Sequence, residues 1–201
     1  MSIIRPFQAV RPSRELASRI AALPYDVYSS MEARHIVESN PLSFLRIDRA
    51  ETQFPEGTDM YSQEVYDKAR DILGQMISEG SFLKETSPCY YIYSLTMDGR
   101  TQTGLVGCAS VDDYTGGVIL KHENTLEAKE LDRFRHIDTC SAQTGPIFLS
   151  YQPDEAVRAI LRKVQEGAPL YDFTSDDEIR HCVWRIDNSE DIGNISHLFA
   201  R

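Results

Sequence analysis

Apolar residues recur at helical spacing most clearly between Asp59 and Glu79. Tyr61, Val65, Ala69, Ile72 and Met76 are separated by 4, 4, 3 and 4 positions, which puts them on one stripe of an α-helix. Gly80 stands where a helix-ending glycine belongs. In "PSRELASRIAAL", Leu16, Ile20 and Leu23 give a second helical pattern, with Ser13 placed to cap it and Pro24 to stop it. "SMEARHIVES", capped by Ser30, and residues 154–166 predict two more helices. The closing "DNSEDIGNISHLFAR" predicts a last one that reaches Arg201 without a stop signal, so the chain is expected to be the N-terminal part of a longer protein.

Strand patterns fall between these segments. "SIIRPF", "NPLSFLRID", "CYYIYSLTM", "TQTGLVGCASV", "VILK", "GPIFLSY" and "RHCVWRI" each read as a strand. Asp98-Gly99 between two β-rich runs is a strong hairpin signal. "PYDVYSS" and residues 50–58 have turn composition. Hairpins rather than strict strand–helix alternation predict an α+β fold. The expected form is a mixed, largely antiparallel sheet with flanking helices, in a single domain over residues 1–201 that is incomplete at its C-terminus.

The segment "LKHENTLEAKELDRFRHI", residues 120–137, changes the picture from fold to chemistry. On a helix, Leu126, Leu131, Phe134 and Ile137 share an apolar sector expected to face the core. Thr125, Lys129, Asp132, Arg133 and His136 fall on the far side. Asn124 and Glu127 have the spacing of a capping box. A helix N-terminus beside Lys121 and His122 suits an anion such as phosphate or carboxylate. The same pattern also fits an ordinary solvated helix. Asp26, in the loop after Pro24, is a further carboxylate that either caps a turn or does chemistry.

Composition narrows the partners. The chain has 201 residues, 41% hydrophobic and 26% charged, with a formal charge of −10. That balance disfavours a nucleic-acid partner, which needs clustered Lys and Arg. Cys89, Cys108, Cys140 and Cys182 lack the close spacing of a metal site or disulfide scaffold, as in a cytoplasmic protein with reduced thiols. The start lacks the pattern of a secretory signal, and no apolar stretch approaches the ~18 residues of a membrane span. No Walker A, Gly-x-Gly-x-x-Gly or Gly-x-Ser-x-Gly motif occurs, and Leu126 stands where a zinc-protease helix needs its second histidine.

"RPFQAVRP", "LPYDVYSS", "NPLSFLRI", "KHENTLEAKELDRFRHI" and "GPIF" occur in an order and spacing that resemble the N-terminal half of the domain of unknown function 1015 family. The resemblance covers roughly residues 4–151. It implies kinship with the ParB and sulfiredoxin-like free-serine kinases, hence a small-molecule phosphotransferase acting on L-serine with ATP, ADP or pyrophosphate and Mg²⁺. It further implies that Lys121, His122, Thr125, Lys129 and Arg133 bind substrate or phosphate, with Asp26 and Glu123 as catalytic carboxylates. The family's Asp-Gly-His-His-Arg signature is not in this sequence, and would lie in a missing C-terminal segment. The other expectation is a non-catalytic module that binds a ligand or partner.

Overall fold

The computed structural model describes residues 2–122 and 124–200 and shows an α+β protein. In chain order the elements are β1 (Ile4–Arg5), β2 (Val10–Pro12), α1 (Ala17–Ile20), α2 (Ser30–Ser39), α3 (Leu45–Asp48), α4 (Gln63–Ser78), β3 (Phe82–Lys84) and β4 (Tyr90–Met97). They continue with β5 (Arg100–Val106), β6 (Cys108–Ala109), α5 (Val111–Thr115), α6 (Glu127–Cys140), α7 (Glu155–Gln165), β7 (Tyr171–Thr174), β8 (Arg180–Ile186) and α8 (Ser189–Phe199). Single 3₁₀ turns span Tyr25–Val27 and Ala50–Gln53. None of the described helices is long and apolar enough to cross a membrane.

The chain folds into two compact units. The sheet unit collects Met1–Arg14, Lys84–Glu123 and Ser150–Arg201, and the helical unit collects Glu15–Leu83 and Asn124–Leu149.

In the sheet unit, four antiparallel strands run in the order β5-β4-β8-β7. The hairpin between β4 and β5 turns through Asp98 and Gly99, whose φ values of 50° and 73° are the left-handed pair that a two-residue turn requires. Tyr90, Ile92 and Ile186 are buried against Val157 and Leu161 of α7 and Ile195 of α8. Asp154 caps α7 and Asn188 caps α8, each accepting two backbone N–H bonds. Gly107 must be glycine, because a Cβ there would lie 2.8 Å from the Tyr90 ring.

In the helical unit, α4 buries Val65, Tyr66, Ala69, Ile72, Leu73 and Met76, close to the stripe seen in the sequence. Val65, Ala69, Ile72, Leu73 and Met76 pack with Ile20, Ile47, Phe82 and Cys140. Full burial of each large aliphatic chain contributes roughly 1.5–3 kcal/mol. Ala33, Val37 and Leu45 form a second, smaller cluster. Ser29, not Ser30, caps α2, and Glu32 returns the bond to the Ser29 N–H to complete a capping box.

Three segments depart from the expected strands. "NPLSFLRID" turns into the single helical turn α3, because Leu45 and Ile47 enter the core, while the Ser43 hydroxyl accepts from the Leu45 N–H just ahead of it. "VILK" and "GPIFLSY" form no strand; Leu120, Ile147 and Phe148 are 81%, 74% and 79% exposed, so neither has the partner that burial on a sheet supplies. The helix expected over "PSRELASRIAAL" is confined to α1, without a side-chain cap.

Candidate functional site

Helix α6 lies the opposite way round from its hydrophobic pattern. Leu126, Leu131 and Phe134 are exposed, while Asp132, His136 and Cys140, spaced four apart, are buried. Burial of polar groups is tolerated only where partners await them. Here they do, on α3, α4 and the segment after α6. The Tyr66 hydroxyl donates to Asp132 Oδ1 at 2.9 Å. Arg133 holds Asp132 Oδ2 through Nε and Nη2, at 3.2 and 3.0 Å. His136 Nε2 lies 3.0 Å from the Ile47 carbonyl, which only accepts, so this nitrogen carries the proton. The Asn124 and Glu127 capping box does not form; Leu126 occupies the N-cap, with no side-chain bond.

Asp48, the last residue of α3, closes the same cluster. Its Oδ1 accepts from the Thr144 hydroxyl at 3.1 Å and lies 3.8 Å from Arg133 Nη1. Burial pushes the Asp48 carboxyl above its usual range, opposed by the charge of His136, the Thr144 bond and Arg133. Burial, and then the bond to Asp132, holds the Tyr66 phenol well above its ordinary value. The Cys140 thiol is pushed up to about 11 by burial, with Asp48 adding to the effect, which favours the thiol over the thiolate near neutral pH.

A buried arginine ties the "PYD" loop to this cluster. Arg49 pairs with Glu51 at 2.6 Å, and both are buried. Its Nη1 donates to the carbonyls of Tyr25 and Tyr28 at 3.1 and 2.8 Å, and its Nη2 donates to Ser30 Oγ at 2.9 Å. The loop is thereby held as a 3₁₀ turn, and the Tyr25 ring lies under two cations of α6. The Arg133 guanidinium is 4.0 Å from the ring centroid and Lys129 Nζ is 5.9 Å from it. Asp26 follows Tyr25 and is exposed. Two cations thus meet one aromatic face, and one of them, Arg133, also lines the cluster of Asp48, Asp132, Tyr66 and His136.

The helical unit therefore gathers Asp26, Thr125, Lys129 and Arg133 from the expected residues, with Thr125 exposed. Lys121 and His122 belong to the sheet unit, where both are exposed. Glu123 lies outside the described residues. Sequence reasoning missed Asp48, Arg49, Tyr66, Asp132 and His136 as site builders. The recoverable signal was the spacing of Asp132, His136 and Cys140, a stripe along one helix face.

A family model described as a protein of unknown function, DUF1015, matches residues 4–201. Comparison with curated proteins and with solved structures gave no match.

Proposed function

The chain belongs to the DUF1015 family, and on that premise we propose that it is the N-terminal part of a small-molecule phosphotransferase whose acceptor is free L-serine. The observation that carries this reading is the convergence of Arg133 and Lys129 on the Tyr25 ring, beside Asp26 in a loop clamped by Arg49. Phosphoryl transfer asks a protein for positioning and charge neutralisation rather than covalent chemistry. Lys129 and Arg133 neutralise the donor phosphates, and Asp26 orients or deprotonates the acceptor hydroxyl. Thr125, Lys121 and His122 are further donors to phosphate, and Glu123 a second carboxylate, on the resemblance alone.

Among the described residues no three carboxylate, imidazole or thiol groups are grouped to hold a metal ion. Mg²⁺ would accordingly be shared between one or two carboxylates and the phosphate oxygens of ATP, ADP or pyrophosphate.

One observation favours a non-catalytic binding module instead: Arg133 is already engaged by Asp132 at 3.0 Å and by Asp48 at 3.8 Å. Phosphorus NMR of the protein with L-serine, Mg²⁺ and each donor in turn separates the two readings. Formation of phosphoserine, slowed at least tenfold in Arg133→Gln, supports the transferase. Phosphoserine from none of the donors leaves the binding module.

A further inference from the structure

Arg133 also lines a cavity of about 10 Å³, about the space one water molecule needs. His136 lines it and is only 3% exposed. With Nε2 committed to the Ile47 carbonyl, Nδ1 is buried without a hydrogen-bond partner, and it is a bare acceptor whenever the ring carries one proton. Such an atom calls for a donor from outside the protein's own bonding. The wall also carries three carboxylates, Asp48, Glu51 and Asp132, against one lining cation, Arg133. An ionised carboxylate has room for about four hydrogen bonds, so Asp48 can accept another beside Thr144.

The occupant must therefore be small, carry several N–H or O–H donors and favour a negative wall. A metal ion is a poor fit, since no three ligating groups among the described residues are grouped to hold one. Water meets the first two demands. A primary ammonium group, similar in size to water and with three donors, meets all three.

We propose that this cavity seats the primary ammonium group of the protein's small-molecule ligand, donating to His136 Nδ1 and the Asp48 carboxylate, with a water molecule in its place when the ligand is absent. The identity of the amine as an amino-acid acceptor rests on the phosphotransferase reading; the ammonium seat itself does not. A ligand held there by its amine presents its remaining groups toward Arg133, which lines the same cavity and lies over Tyr25. Burial that raises the Asp48 carboxyl gives the added cation a further advantage, because it offsets the cost of keeping that carboxylate ionised.

The test uses the intact chain labelled with ¹⁵N-histidine. Long-range proton–nitrogen spectra follow His136 Nδ1 during titration with L-serine, with ethanolamine and with glycerate, which keeps serine's hydroxyl and carboxylate but lacks the amine. The expected result is a saturable Nδ1 shift with both amines and none with glycerate. Asp48→Asn should weaken the amine response at least tenfold, with the circular dichroism spectrum unchanged. A Nδ1 resonance that stays put with both amines, or moves equally with glycerate, overturns the proposal. Phosphoserine formation without any Nδ1 response removes the ammonium seat and leaves the transferase; a response without turnover does the reverse.

Discussion

At the residue scale, stability rests on charged groups whose partners come from distant positions. Arg49 illustrates this: it joins Glu51 to a loop 19 to 24 residues upstream, at Tyr25, Tyr28 and Ser30. Replacing one partner of a buried pair leaves the other uncompensated, so Arg49→Met should cost roughly 3–5 kcal/mol in a urea melt. A cost under about 1 kcal/mol would mean that the clamp contributes little. Asp172 gives a pH signature in the sheet unit. Arg180 bonds its two oxygens at 2.8 and 2.7 Å and, with the Cys182 thiol, holds the carboxyl at about 2. The folded value lies below the ordinary ~3.9, so the ionised group adds stability above about pH 4 that is lost as pH falls toward 2. Asp172→Asn should flatten the melting-temperature profile across that window, lowering the melting temperature at pH 7 and leaving it unchanged near pH 2. The sequence showed neither role, because what Arg49 clamps, the carbonyls of Tyr25 and Tyr28, is brought to it only by the fold, and the Asp172–Arg180 pair depends on the register of β7 on β8.

Among the elements, α4 and α6 show opposite relations between pattern and burial. The α4 stripe was legible because its apolar residues are also the ones that pack. The α6 stripe misled, because a helix can turn a polar face inward once Tyr66, Ile47 and Asp48 satisfy it. The inversion predicts an unusual pair of mutational outcomes. Asp132→Ala leaves Arg133 and the Tyr66 hydroxyl without their carboxylate and should cost roughly 3 kcal/mol. Phe134→Ala, at a side chain 63% exposed, should stay within about 0.5 kcal/mol. Denaturant unfolding of the two variants decides, and the reverse order would restore the apolar face to the core. The short α3 was misread for a different reason: "LSFLRI" is an apolar run that fits strand or helix equally, and length alone could not arbitrate.

For the whole molecule, the α+β class was legible from its hairpin and its helical stripes. The division into two units was not, since the helical unit is assembled from two separated stretches, Glu15–Leu83 and Asn124–Leu149. The chain passes from one unit to the other within the segment that carries the expected phosphate-binding residues, so these are divided between the two units. The formal charge of −10 predicts no affinity for duplex DNA, so filter binding should show no salt-dependent retention. The central claim is that Lys129 and Arg133, placed over Tyr25, seat an anion. Titration calorimetry of the intact chain with pyrophosphate tests it most directly. Saturable binding that falls at least tenfold in a Lys129→Ala, Arg133→Gln double variant, with the circular dichroism spectrum preserved, is the predicted result; equal binding by both proteins, or by neither, contradicts it.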